Sequence, residues 1–298
     1  MSEATFCAVV AIIGAPNAGK STLVNRLVGE KVSIVTHKAQ TTRAAVRGVA
    51  MRGAAQLVLV DTPGVFAPKR RLDRAMVRAA WTGASDADVI VHLVDAHTAR
   101  GLDDAIRTRL IEEKRKVVLA FNKVDLVEKP VLLALTQTYT ADGPYTDVFM
   151  ISANSGKGVD DLADHLADRA PVGPWLFPED QASDAPARIL AAEITREKLM
   201  LRLHDELPYD ATVETESWQE HKDGSVRIDQ TIYVARDSQK KIAIGEGGQV
   251  VKAIGAAARK ELEHALDRRV HLFLNVKVRE NWAEERARYE AIGLEWEN

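Results

Sequence analysis

The chain has 298 residues, of which 46% are hydrophobic and 28% charged, and its formal net charge is −3. That length points to about two domains of ordinary globular composition, and the small negative charge means that any nucleic-acid surface has to be local. No run approaches the ~20 apolar residues of a membrane span. Met1 to Phe6 lack the charged start and apolar core of a secretion signal, and a single cysteine, Cys7, excludes an internal disulfide and fits a reducing compartment.

The first predicted element is a strand, Cys7 to Ile13, apolar without alternation and therefore suited to burial on both faces. It leads into Gly14, Ala15, Pro16, Asn17, Ala18, Gly19, Lys20 and Ser21, which fit G-x-x-x-x-G-K-[ST]. From Thr22 a helix follows, with Leu23, Leu27 and Val24, Val28 at helical spacing. In this context the loop wraps nucleotide phosphates: glycines let the backbone come close, and successive N–H groups with the helix N-terminus hold the anion. Lys20 is expected to reach the terminal phosphates and Ser21 to offer its hydroxyl to Mg²⁺.

A polar, threonine-rich stretch from Gly29 closes on Gln40, Thr41, Thr42 and Arg43. A loop of this kind becomes ordered by the γ-phosphate when a threonine hydroxyl reaches the metal. Thr42 is the candidate and Thr41 its rival. Next, a short buried strand, Leu57 to Val60, ends in Asp61, Thr62, Pro63 and Gly64. Asp61 would hold Mg²⁺ through water, and the Gly64 N–H would meet the γ-phosphate. Two more apolar runs, Val89 to Val94 and Val117 to Phe121, flank a charged helical stretch from about Asp103 to Lys116. The second run ends in Asn122-Lys123-Val124-Asp125. A carboxylate at Asp125 accepts both the N1–H and the exocyclic amine of guanine, a pair that adenine does not offer. Asn122 and Lys123 would support the ring and the loop. Val148 to Ile151 then lead to Ser152, Ala153 and Asn154, whose backbone N–H groups would meet the guanine carbonyl.

Alternating strands and helices imply an α/β domain with a doubly wound, mostly parallel sheet and its ligand crevice at the carboxyl ends of the strands. Together these motifs resemble the translation-factor-related branch of P-loop GTPases, which implies GTP or GDP with Mg²⁺. Val65 and Phe66 follow Gly64 where a water-orienting glutamine is often found, a likeness to GTPases with a hydrophobic residue there. Asn17 matches the asparagine with which such relatives hold K⁺. Slow intrinsic hydrolysis is expected, raised by K⁺ or a partner, with Lys20 and Gly64 at the transferring phosphate and no residue assigned as base. His92 and His97 read as structural.

Around Pro171 to Asp180 the rhythm stops, and Pro171, Pro174, Pro178 and Pro186 favour an extended, semi-rigid connection. The predicted boundaries are a GTPase domain at 1–172, a linker at 173–188 and a smaller α+β domain at 189–298. In the last, a helix is expected from Leu190 to Leu207, strands at Thr212 to Trp218 and Val226 to Val234 joined by a turn at His221 to Ser225, and a helix carrying Val250, Ile254 and Leu262. A clean alternation marks a strand at Val270 to Val278, and a terminal helix starts near Trp282.

Lys240, Lys241, Ile244, Gly245, Glu246, Gly247, Gly248 and Lys252 surround an I-G-x-x-G pattern. With the helix–strand–strand–helix–helix–strand order this resembles a type II KH domain, in which the G-x-x-G loop clamps the backbone of a short single strand. From Arg236 to Arg279 there are ten Lys and Arg against five Asp and Glu, so the positive charge is local. Glu246 sets an acid inside the clamp, where relatives often carry a base.

The order of domains, with Lys38-Ala-Gln-Thr-Thr-Arg43, Pro174-Trp-Leu-Phe-Pro-Glu-Asp180, Glu193-Ile-Thr-Arg-Glu-Lys-Leu199, Glu206-Leu-Pro-Tyr209 and Gln239-Lys-Lys-Ile242, resembles the Era family of bacterial ribosome-assembly GTPases. That resemblance implies binding to the 3′ end of 16S rRNA and to a precursor of the 30S subunit, with GTP favouring the RNA-competent arrangement, in the cytoplasm and peripherally on the inner membrane face. Two alternatives stand beside it: a GTPase switch whose C-terminal domain binds protein, and a metabolic P-loop kinase, against which Asn122 to Asp125 argue.

Overall fold

Uninterrupted apolar strands need both faces covered, and the first of two compact folding units of this computed structural model meets that need with a six-stranded sheet between layers of helices. The structure describes residues 4–38, 40–99, 105–203, 207 and 209–296. Met1 to Glu3, Ala39, Asp103, residues 204–206 and Pro208, all used above, lie outside them.

The first unit comprises residues 1–33 and 42–184. Its elements are β1 (Phe6–Ile13), α1 (Lys20–Val28), β2 (Val46–Arg52), β3 (Ala55–Asp61), α2 (Arg71–Ser85), β4 (Val89–Asp95), α3 (Ala105–Glu112), β5 (Val117–Asn122), α4 (Lys129–Thr140), β6 (Tyr145–Met150) and α5 (Val159–Asp168). The strand order is β2-β3-β1-β4-β5-β6. Every neighbouring pair is parallel except β2 with β3. Alternate residues of β1 feed two cores: Ala8, Val10 and Ile12 pack with Leu23, Val24 and Leu162, whereas Ala11 and Ile13 pack with Trp81, Ile106 and Leu110. The antiparallel edge strand β2 and the helix α2 were not among the elements expected from sequence.

The proline-rich segment is extended, but it is clipped to the first unit instead of spanning free. Phe6 bridges Val172, and Gly48 bridges Ser183. The fully buried Gln56 holds it: Oε1 accepts the N–H groups of Leu176 at 2.9 Å and Phe177 at 3.0 Å, and Nε2 donates to the Phe177 carbonyl at 2.8 Å.

The second unit comprises residues 34–41 and 185–298. It contains α6 (Ala187–Arg202), β7 (Ala211–Glu220), β8 (Val226–Val234), α7 (Asp237–Ile244), α8 (Gln249–Ala265), β9 (Val270–Val278) and α9 (Arg286–Ala291). Strand β7 pairs antiparallel with β8, and β8 pairs parallel with β9. One face of this sheet packs on helices α6 and α8 through Ala191, Ile194, Leu199, Ile254 and Leu262 against Val213, Ile228 and Ile232. This is the α-β-β-α-α-β order of a type II KH domain. Helix α6 ends at Arg202 and not at Leu207, because Leu203 turns extended at ψ 154°. Among the described residues no helix is long and apolar enough to cross a membrane.

Replacing Gln56 with Leu leaves the N–H groups of Leu176 and Phe177 and the Phe177 carbonyl without their part-buried bonds, so it should destabilise the first unit by about 2 kcal/mol, read as a lower midpoint in urea denaturation.

Candidate functional site

The phosphate loop folds as it does because its glycines stand where no side chain fits. A Cβ on Gly14 would lie 2.4 Å from the Leu93 carbonyl oxygen, and one on Gly19, at φ 98°, 2.3 Å from the Asn122 amide nitrogen. Asn17 is also left-handed, at φ 63°. The turn delivers Lys20 and Ser21 at the start of α1. The buried Lys20 ammonium donates to the carbonyls of Gly14 at 3.1 Å and Ala15 at 2.9 Å. Burial lowers its pKa to about 8, against the pull of Asp61.

Three oxygens meet beside it. Ser21 Oγ donates to Asp61 Oδ2 at 2.7 Å and lies 2.9 Å from Thr42 Oγ1, which donates to the same carboxylate oxygen at 3.2 Å. The other Asp61 oxygen, Oδ1, is buried and has no hydrogen-bond partner among the described residues. Burial pushes the Asp61 carboxyl above its ordinary range, while the Ser21 hydroxyl and then Lys20 draw it back. Two hydroxyls and a buried, under-bonded carboxylate are hard oxygen donors of the kind that suit Mg²⁺. Thr41 lies elsewhere, in the second unit. Its hydroxyl pairs with Thr36 Oγ1 at 2.6 Å and donates to the Lys38 carbonyl at 2.8 Å. Gln40 is left-handed at φ 58°, and Arg43 is buried.

At the end of β3, Thr62 Oγ1 donates to the Ile12 carbonyl at 2.7 Å, and Gly64 presses on Pro16, whose Cα a Cβ there would meet at 2.9 Å. The Val65 N–H donates to the Gly14 carbonyl at 3.1 Å, which ties this turn to the phosphate loop. Val65 packs toward Trp81 and Ile106.

The base-side residues also converge. Asn122 joins three segments: Nδ2 donates to the Ala18 carbonyl at 2.8 Å, and Oδ1 accepts the Ala153 N–H at 2.9 Å. Lys123, left-handed at φ 62°, donates to Asp95 Oδ2 at 2.7 Å. Asp125 stands exposed in the short turn Val124–Leu126, while Ser152 and Ala153 are buried and Asn154 is exposed. Sequence reasoning missed Asp95, whose signal was an acid closing an apolar strand at the same sheet edge. It also missed Asn25, whose Oδ1 accepts the N–H groups of Val32 and Ser33, both at 2.9 Å. His92 meets the Tyr145 hydroxyl at 2.8 Å inside the fold.

In the second unit, Gly245 closes α7 at φ 74°, where a Cβ would stand 2.4 Å from Val250 Cγ2. Gly247 and Gly248 are left-handed too, at φ 57° and 77°, and Glu246 and Gly247 are exposed. Lys252 Nζ lies 3.5 Å from the Gly247 carbonyl, Lys241 is exposed, and Lys240 and Ile244 are half-buried. Gly245 to Gly248 therefore form a turn between α7 and α8 with little room for a side chain at its start, flanked by Lys240 and Lys241 on α7 and Lys252 on α8.

The depressed Lys20 pKa has a consequence for binding. As pH rises through about 8 the free protein loses the ammonium charge that a polyphosphate needs, so binding must restore the proton. Titration calorimetry with a nucleoside triphosphate at about pH 8.5, in buffers of different ionisation enthalpy, should show proton uptake on binding and an affinity that falls as pH rises.

Two family models match the chain: 50S ribosome-binding GTPase over residues 9–123, and KH domain over residues 206–283. The GTPase Era of Brucella suis is 61% identical over 288 residues, covering 96% of this chain and 93% of that one. Among solved structures, Era in complex with MgGDPNP and nucleotides 1506–1542 of 16S ribosomal RNA is 38% identical, with a TM-score of 0.91 over 97% of this chain and 99% of that chain. An Aquifex aeolicus Era variant bound to GDP·AlF₄⁻ matches with the same identity, coverage and TM-score. The chain belongs to the Era family of GTPases.

Proposed function

We propose that this GTPase is a nucleotide-driven switch that binds the 3′ end of 16S rRNA and acts in maturation and assembly of the 30S subunit. The observation that carries this reading is the likeness, over 97% of the chain, to an Era structure that holds MgGDPNP and the RNA of nucleotides 1506–1542. GTP and GDP occupy the first unit, with residues 14–22 around the phosphates and Asn122, Lys123, Asp125 and residues 152–154 around the base. Ser21, Thr42 and Asp61, whose side-chain oxygens meet, would hold Mg²⁺. When bound, the ion neutralises charge on the phosphate oxygens. Lys20 would add a buried positive charge, and the Gly64 N–H would meet the terminal phosphate. Val65 and Phe66 cannot hydrogen-bond a water, so intrinsic turnover is slow, and Asn17 is the residue offered to K⁺. The functional domains in this reading are 1–172 and 189–298, joined by 173–188. The site of action is the cytoplasm, with peripheral contact at the inner membrane face.

RNA engages the turn of Ile244 to Gly248 with Lys240, Lys241 and Lys252. The segment before Thr42 supports a switch. Within the second unit, Val35 N–H donates to buried Glu197 at 2.8 Å, and buried Arg196 donates to the Thr41 carbonyl and pairs with Glu193. A peptide bond away, Thr42 belongs to the metal cluster.

Thr42→Ala should raise the Mg²⁺ concentration required for hydrolysis about tenfold, whereas Thr41→Ala should leave it unchanged; a Mg²⁺ titration of phosphate release checks both. A labelled RNA of nucleotides 1506–1542 should bind at least about tenfold more tightly with a non-hydrolysable GTP analogue than with GDP, and more weakly at higher salt. Combining Glu246→Asp with Gly247→Asp should abolish that binding. Indifference to nucleotide would remove the switch. Absence of binding in either state would leave the second unit as a protein-binding module, the alternative that the exposed Glu246 favours.

A further inference from the structure

The bonds that secure the guanine-side loop are not all made by the motif residues. The loop closes on itself through Ser152 N–H to the Lys157 carbonyl at 2.9 Å and Gly156 N–H to the Ser152 carbonyl at 2.8 Å. Asn122 holds the Ala153 N–H at 2.9 Å. On the other side stands Arg26, on the same helix that starts with Lys20 and Ser21. Its Nε donates to the Ala153 carbonyl at 3.3 Å, and its Nη2 donates to the Asn154 carbonyl. Its guanidinium also lies along Gly156, where a Cβ would stand 3.7 Å from Cζ. None of the nucleotide-binding motifs includes it.

Peptide planarity gives this contact a consequence. In a trans peptide the C=O and the following N–H point in opposite directions. With the Ala153 carbonyl drawn to Arg26, the Asn154 N–H is turned away from α1. The Ala153 residue is thus gripped at both ends, its N–H by Asn122 and its C=O by Arg26. The orientation of the next N–H in the loop is fixed by a side chain of the phosphate-binding helix.

We infer that Arg26 is a positioning residue for guanine recognition: through the Ala153 carbonyl it orients the backbone N–H of Asn154 toward the 6-oxo group of the base, and so ties the base loop to the helix that carries the phosphate ligands. This rests on the nucleotide reading above. Arg26 touches neither base nor phosphate; it acts through the Ala153 and Asn154 peptides. Because the side chain is exposed, water screens part of its charge and the effect is that of a single modest interaction.

The test compares the parent and variant proteins on two ligands. GDP carries the 6-oxo group and N1–H, and the diphosphate of 2-aminopurine riboside keeps the 2-amino group, sugar and phosphates but lacks both; the lost N1–H contact with Asp125 is common to parent and variant and cancels in the comparison. Arg26→Ala should weaken GDP about tenfold, leave the 2-aminopurine nucleotide within about twofold of the parent, and keep the melting temperature. Arg26→Lys, with one compact donor in place of a fork, should fall between. Equal losses on both ligands, or no loss on GDP, would overturn the inference. Failure of the parent protein to prefer GDP over ADP would instead overturn the nucleotide reading itself.

Discussion

Close approach of backbones at the carboxyl ends of β1, β3, β4 and β5 is the constraint on which the nucleotide site depends. Gly14 lies against the Leu93 carbonyl, Gly19 against the Asn122 amide and Gly64 against Pro16, each with no space for a Cβ. A parallel sheet brings those strand ends to one edge, and only glycine lets the loops that leave them pack this closely. The Lys20 and Asp61 side chains then come within electrostatic reach, and Asn122 bonds the phosphate loop at Ala18, without any long excursion of the chain. Substituting one of these glycines would displace two strand ends together.

Charge at that edge is handled by burial more than by pairing. Lys20 is lowered to about 8 by desolvation, and the same desolvation raises Asp61. Such shifts favour a partner of opposite sign at each group, which is what the proposed phosphate role of Lys20 and metal role of Asp61 would supply.

The second unit uses buried charge differently. Arg196 and Glu197 are almost fully enclosed and are satisfied by Glu193, Lys198 and the backbone of residues 35 and 41. Such groups tolerate little displacement, because a buried charge that loses its partner is costly. The backbone of residues 35 and 41 is therefore held by these buried charges.

By itself the sequence determined the chemistry and the order of elements. Uninterrupted apolar runs announced β1, β3, β4 and β5, and the motifs after β1, β3 and β5 pointed to phosphate, metal and guanine; the alternation of Val270 to Val278 matched β9 residue for residue. These signals are local, since they depend on burial period and on residues a few positions apart. Long-range pairing decided the rest. The choice of Thr42 over Thr41 for the oxygen cluster is invisible in two adjacent identical residues, because it depends on which hydroxyl reaches Ser21 and Asp61, 21 and 19 residues away. The edge strand β2, the end of α6 at Arg202 and the capture of the linker by Gln56 likewise depend on partners far along the chain. Arg26 shows the same limit: an ordinary exposed helix arginine in sequence, it gains its contact only because the fold lays residues 153–154 beside α1, 127 and 128 positions away.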